Sequence, residues 1–251
     1  LQDLYEDPDR LRHPMKRVGR GEHATWEPMS WDDALDYAAQ GIHAAQERHG
    51  KGALALYFGN PNAHNLGAML YGPWMLRAMQ TKQRFSATSV DQLPHMFASL
   101  KMFGSQVLFP IPDLDRTDLF FMIGANPMAS NGSIMTAPGM RRRLREIQAR
   151  GGRVVVIDPR RTETADVSDE HQFIRPGTDA YFLLAMVNEL FAQNLVDLGR
   201  FASVCDGLEE IREAVAPFTA ERASKRTGIA TATIRRLARE IGMTERAAVY
   251  G

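Results

Sequence analysis

Three short stretches of the sequence carry side chains that could recognise one ligand together: "IGANPMASNG" (Ile123 to Gly132), "IDPRRTET" (Ile157 to Thr164) and "IRPGTDA" (Ile174 to Ala180). Gly124 would let a phosphate or sugar approach bare backbone, and Asn126 and Ser130 could hydrogen-bond it. Asp158 can take a ribose hydroxyl, while Arg160 and Arg161 can pair with phosphate oxygens. Asp179 suits the N1–H and exocyclic amine of guanine, because one carboxylate accepts both donors side by side. Each stretch also has a plain structural explanation. "GANP" can be a strand-to-helix turn, the arginine pair a solvated loop, and Asp179 the N-cap of the helix after it. Their placement at successive strand ends tips the balance toward a nucleotide, since ligands of open parallel sheets bind beyond the carboxyl ends. The G-x-G-x-x-G fingerprint of nicotinamide cofactors follows none of the expected strands.

The elements that must position these residues can be read from apolar periodicity. "DLFFMIG" (Asp118 to Gly124) and "RVVVID" (Arg153 to Asp158) are expected strands, and "QFI" (Gln172 to Ile174) a short third. Between the first two, "PGMRRRLREIQARGG" reads as a helix with Met140, Leu144 and Ile147 inward and Arg141, Arg142, Arg143 and Arg145 toward water. "DAYFLLAMVNELFAQN" is an expected helix burying Leu183, Leu184, Val187, Leu190 and Phe191. Earlier, Ser30-Trp31-Asp32-Asp33 has the form of a capping box. It should open a helix with Trp31, Leu35, Ala38, Ile42 and Ala45 on one apolar face, stopped by Gly50 and Gly52. "ALALYF" (Ala53 to Phe58) reads as a strand, and a helix is expected near His64 to Met79. Residues 6–31 read as an extended lead-in. Strands alternating with helices imply an α/β fold, a parallel sheet covered on both faces. A boundary is expected between Gly104 and Asp113, giving domains 1–104 and 105–251.

Composition excludes several classes. With 44% hydrophobic and 24% charged residues the chain is an ordinary globular one. Thirty basic and thirty acidic residues cancel, which argues against a general nucleic-acid or membrane-surface binder. One cysteine, Cys205, allows no intrachain disulfide and no Cys-built zinc or iron–sulfur site from this chain alone. It favours a reducing, cytoplasmic compartment. No apolar run approaches the roughly 20 residues that span a bilayer. The chain opens on Leu1 and closes on "AAVYG", read as a strand cut as it begins, so an excised piece of a longer protein is expected.

The ordered set "RLRHPMKRVGRG…WEPMSWDDAL", "DLFFMIGANPMASN", "VVVIDPRRTETA" and "FIRPGTDAYFLLAMVNELF" closely resembles the molybdopterin oxidoreductases of the dimethyl sulfoxide reductase superfamily, which include formate dehydrogenases and nitrate reductases. "FTAERASKRTGIATATIRRLAREI" is similar to a segment found there after the same helix. The resemblance implies Rossmann-like α/β layers with helices on both faces. It implies a molybdenum or tungsten ion held by two molybdopterin guanine dinucleotides, one of them bound here. Carried over residue by residue, it assigns cofactor contacts to Gly124, Asn126, Pro127 and Ser130, to Asp158, Arg160, Arg161 and Thr162, and to Gly177, Thr178 and Asp179. The parent protein is expected to perform two-electron redox or oxygen-atom transfer on a small-molecule substrate, with formate among the options, and to have a redox partner.

Departures from the family pattern bound that expectation. No cysteine cluster precedes Arg10, so the iron–sulfur cluster expected in the parent lies outside this chain, and no β-rich closing domain is present. The stretch "FSATSVDQLPHMFASLKMFG", where the family places its protein ligand to the metal, has no cysteine. His95, Asp91, Ser89 and Ser99 are candidates, with position favouring His95 or Asp91. His95 could equally be an ordinary helix-start histidine and Asp91 a helix cap. No catalytic residue is assigned, and the piece alone is expected to be inactive. A different class also competes. Glu221 to Gly242 imitates a helix-turn-helix, with Ala223, Gly228, Ile234 and Leu237 at its key places. Two helices packed under a sheet, with Arg235, Arg236 and Arg239 toward water, explain the same pattern. A non-catalytic nucleotide-binding domain is the remaining alternative.

Overall fold

A short helix α1 (Gln2–Glu6) precedes the polar lead-in, which forms a hairpin whose strands β1 (Met15–Val18) and β2 (Thr25–Pro28) pair antiparallel, Met15 opposite Pro28, around a 3₁₀ turn at Gly21–His23. The computed structural model describes residues 2–129 and 132–251, and the chain divides into two units, Leu1–Phe109 and Pro110–Gly251. In the first, the Ser30 hydroxyl accepts the Asp33 N–H at 3.1 Å and opens α2 (Trp31–His49). Gly50, at φ +82°, closes it by donating its N–H to Gln46 O. Strand β3 (Leu56–Phe58) is shorter than the apolar run suggests, because Lys51–Ala53 winds into a 3₁₀ turn. Helix α3 (Leu66–Met79) leads to β4 (Arg84–Ser86), which pairs parallel with β3, and α4 (Leu93–Phe103) follows.

The apolar face expected of α2 is present but uncovered: Trp31 and Leu35 are 65% and 63% exposed. Among the described residues, the buried side chains of this unit are polar ones, Gln46, Thr81 and Ser99. Gln46 Nε2 donates to Met79 O and Thr81 Oγ1 to Leu54 O, so they act as backbone clips rather than as a core. Among the described residues, every buried hydrophobic side chain lies in the second unit.

There, β5 (Leu119–Ile123), α5 (Met140–Ala149), β6 (Arg153–Ile157), β7 (Glu170–Gln172), α6 (Asp179–Ala192), α7 (Leu208–Val215), α8 (Ala220–Thr227), α9 (Thr231–Met243) and β8 (Ala247–Tyr250) follow in sequence. All strand pairs are parallel and the order across the sheet is β7-β6-β5-β8. In order of appearance that is third, second, first, fourth, the start of the Rossmann arrangement. Alternation along a strand sends neighbours to opposite faces. Leu119, Phe121, Val155 and Ile157 accordingly pack with Phe182, Ala223, Ile234 and Leu237 under α6, α8 and α9. Phe120, Met122, Val154 and Val156 pack with Met140, Leu144 and Ile147 of α5 on the other face. The fold is α/β with helices on both faces of a parallel sheet.

Two expectations need correction. Helix α6 does not bury Leu183, Leu184, Val187, Leu190 and Phe191; Leu183 is 41% exposed. Its buried stripe is Phe182, Ala185, Met186 and Glu189, spaced by three and four residues, with Phe182 stacked on Phe121. Nor is "QFI" the third strand. Pairing runs from Glu170 opposite Val155 to Gln172 opposite Ile157, then stops, leaving Phe173 exposed. Charge sets this register. Glu170 accepts from Arg153 and Arg236, which also share Glu240 at 2.6 and 2.8 Å. Arg235 pairs likewise with Glu189 and Glu221, and Arg239 hydrogen-bonds Gln193, so these guanidinium groups knit α9 into the domain. With Ala223, Ile234 and Leu237 buried, the helix-turn-helix pattern is explained by packing.

The cluster makes stability depend on pH. Burial would push the Glu170 carboxyl up, but hydrogen bonds from Arg236 and Gln172 outweigh it and hold the group below its usual value of 4.5. A carboxyl lowered in the folded state stabilises the fold above the unfolded value and loses that contribution as pH falls through the lowered one. The thermal stability of the chain should therefore fall below about pH 4.5. Glu170→Gln should flatten that acid limb; an unchanged limb would remove Glu170 from the account.

Candidate functional site

The carboxyl ends of β5, β6 and β7 lie side by side on one edge of the sheet, since register pairs Ile123 with Ile157 and Ile157 with Gln172. Gly124 follows β5 at φ +68° and donates its N–H to Ile157 O at 2.8 Å, which ties the first loop to the second strand. A Cβ there would meet nothing within 4 Å, so the backbone faces open space. The same holds at Gly177, φ +76°, in the turn after β7. Positive φ of this kind is cheap only for glycine.

Asn126 and Thr162 sit at the site but are committed to holding it. Asn126 Oδ1 accepts the Thr164 hydroxyl at 2.7 Å and Nδ2 donates to Glu163 Oε2 at 2.8 Å. The Thr164 hydroxyl in turn accepts Met128 N–H at 3.2 Å. The first two loops are therefore laced together through Asn126. Asn126 also holds the Glu163 carboxyl below its usual range. Thr162 is buried and its hydroxyl accepts Ala165 N–H at 3.1 Å. Pro127 is buried too, and its carbonyl takes Gly132 N–H. Ser130 lies outside the described residues. Thr164, fully buried, and Glu163 escaped the sequence reading; a threonine spent on loop stitching has no pattern that separates it from a surface one.

The groups left for a ligand are the charged ones. Asp158 is 6% exposed; Oδ1 accepts Arg160 N–H at 2.7 Å, while Oδ2 has no hydrogen bond from the described residues. Arg160 reaches only a 3.8 Å contact with Glu163 and is largely exposed, whereas Arg161 is bonded to Asp166 at 2.6 Å. Thr178, not Asp179, occupies the N-cap of α6, and its hydroxyl donates to Arg175 O. Asp179 is the first helical residue, half-buried, and no described residue hydrogen-bonds its carboxylate. It is therefore not spent as a cap. Two carboxylates, one exposed guanidinium and two bare glycine backbones are groups of the kinds that suit a polyhydroxylated, anionic, hydrogen-bond-donating ligand. A groove of about 570 Å³ along α5 is lined by Met128, Arg141, Arg142 and Arg145 and contains no member of this set.

The metal candidates belong to the other unit. Asp91 precedes α4, whose N-cap is Gln92, and His95 lies in its first turn; both are exposed. The hydroxyls of Ser99 and Ser89 donate to Leu108 O and Ser86 O. Among the described residues no three His, Cys, Asp or Glu side chains converge to hold a metal.

A profile of the molybdopterin oxidoreductase family matches residues 10–225. The chain belongs to that family. This molybdopterin oxidoreductase chain is 29% identical over 96% of its length to formate dehydrogenase H of Escherichia coli K12, covering 33% of that protein. It is 30% identical over 94% of its length to the putative dimethyl sulfoxide reductase chain YnfE of the same organism, covering 32% of it. The chain thus spans about a third of the length of the curated relatives it matches. Acetylene hydratase from Pelobacter acetylenicus shares the fold, with a TM-score of 0.76 over 98% of this chain at 24% identity. The family implies a molybdopterin cofactor with molybdenum, an oxidoreductase's equipment. The groups on the sheet edge are of a kind that fits a polar ligand: glycine backbone open to approach, and the carboxylates of Asp158 and Asp179 as acceptors. No described helix of this family member is long and apolar enough to cross a membrane.

Proposed function

We propose that residues 110–251 bind the guanosine diphosphate end of one molybdopterin guanine dinucleotide. The whole protein would be a molybdenum or tungsten bis-pterin oxidoreductase performing two-electron or oxygen-atom transfer on a small substrate, formate among the options. The observation that carries this reading is the gathering of Gly124, Asp158 and Asp179 at the ends of the first three strands of a Rossmann-ordered sheet, with both carboxylates able to accept. Asp158 Oδ2 takes a ribose hydroxyl, Arg160 a phosphate oxygen, and Asp179 the guanine edge. Ser130 adds a phosphate donor. Asn126, Pro127, Thr162 and Thr178 shape the loops, and Arg161 holds the second loop through Asp166. The group, when bound, supplies the redox chemistry, while the protein orients and screens it. His95 or Asp91 provides a protein ligand to the metal. The reading also gives the protein a redox partner and a cytoplasmic setting.

Titration of the chain with GDP and with ADP tests this. GDP should bind at least tenfold tighter, because a carboxylate that meets two donors on guanine meets an acceptor at the corresponding ring position of adenine. Equal affinities, or no binding of either, would discard the guanosine assignment.

A further inference from the structure

Phe173 is the residue that the sheet leaves unexplained. It stands immediately after β7, at the carboxyl edge, between Asp158 and the turn carrying Gly177 and Asp179, and is 60% exposed. Ordinary scatter of exposed apolar residues would suffice for a side chain on a helix back. Phe173 instead lies among the candidate ligand groups, and both its flanks are fastened. On one side, His171 Nε2 is 3.1 Å from Asp158 O, and the imidazole meets the Phe173 ring edge-to-face at 4.4 Å between centroids. On the other, Ile174 is buried and Arg175 N–H donates to Thr227 O at 2.8 Å, with its guanidinium on Arg226 O at 2.8 Å. A T-shaped neighbour covers one face of a phenyl ring at most, so a face stays open. The ring is a held, open platform.

The fold says what would lie on it. In a Rossmann-ordered sheet the acid ending the second strand takes the ribose, and the diphosphate sits at the loop after the first. Here those places are Asp158 and Gly124. A nucleotide running from the first strand to the second carries its base onward, over the end of the third, and Phe173 ends the third. We infer that Phe173 is the stacking platform for the purine base, a positioning contact that rests on the dinucleotide reading above. Stacking reads only the π-face and does not distinguish purines. Asp179 selects guanine by its edge; Phe173 holds any purine by its face.

That division of labour gives the test. The full chain and its Phe173→Ala, Phe173→Leu and Phe173→Trp variants are titrated with GDP and ADP, with thermal unfolding as the check of folding. Truncation at an exposed position should leave unfolding unchanged. The Ala and Leu variants should bind both nucleotides about tenfold more weakly, with the GDP-to-ADP ratio preserved, and Trp should bind as tightly as Phe or tighter. If the unaltered chain binds GDP and the folded Leu variant binds it equally well, the platform is wrong while the dinucleotide reading stands. A loss confined to GDP also overturns it, since that marks an edge contact. If the unaltered chain binds neither nucleotide, the dinucleotide reading falls and takes the platform with it.

Discussion

Replacing Asp179 by Asn is expected to weaken GDP binding about a hundredfold and to leave ADP binding unchanged or tighter. The carboxylate can accept N1–H and the exocyclic amine of guanine together. An amide turns one of those acceptors into a donor, so one bond is lost and two N–H groups face each other. Adenine presents a ring acceptor in place of N1–H; that acceptor is repelled by the acid but can take an N–H from the amide, so ADP binding should hold or tighten. The substitution is also safe for the fold. Asp179 opens α6 without capping it, and no described residue hydrogen-bonds its side chain. Losing a first-turn charge costs only a few tenths to 1 kcal/mol. Calorimetric titration reads the result directly. GDP affinity within threefold of the unaltered chain would show that this carboxylate does not touch the base. Because Phe173→Leu should weaken both nucleotides and Asp179→Asn only one, the two variants separate face from edge.

The strands of the second unit were legible because Leu119–Ile123 and Arg153–Ile157 are apolar on both faces, as parallel strands buried on both sides must be. Glycines and acids at their ends then marked a candidate site. What the sequence hid were contacts settled between distant residues. The face of α6 was misread because Leu183 and Phe191 are as apolar as the Phe182 and Met186 that are buried; only the docking of α8 and α9 chooses between them. The end of β7 was misread because Phe173 has strand propensity, whereas the register is set by Glu170 meeting arginines from β6 and α9. Asn126 reads as a ligand donor; that its amide also holds Thr164 and Glu163 from the next loop is not visible in the sequence. In the first unit the period of α2 was readable, but a period does not say what covers the face, and Trp31 and Leu35 are left exposed.

Gly152→Ala should be the most damaging small substitution in the chain. A Cβ at this position would sit 2.5 Å from Asp118 O and 2.9 Å from both Ile147 O and Ile147 Cγ2. Two of those are backbone atoms, which cannot swing aside as a side-chain tip can. Asp118 O is also the acceptor for Arg153 N–H at 2.6 Å, the bond that starts the β5–β6 register with Leu119 opposite Arg153. The methyl group would wedge these strands apart at their entry. Overpacking against backbone costs about 3 kcal/mol or more, roughly a 10 °C fall in the unfolding midpoint. Its neighbour supplies the control. Gly151 has φ +85° but open space around the added atom, so Gly151→Ala bears only left-handed strain, about 1 kcal/mol or roughly 3 °C. Midpoints that fall equally would mean that backbone conformation, not crowding, governs this turn. The larger fall at Gly152 should also carry a functional mark. Since Gly124 N–H is bonded to Ile157 O at the far end of the same strand pair, wedging its entry should shift both ligand loops and weaken GDP and ADP alike.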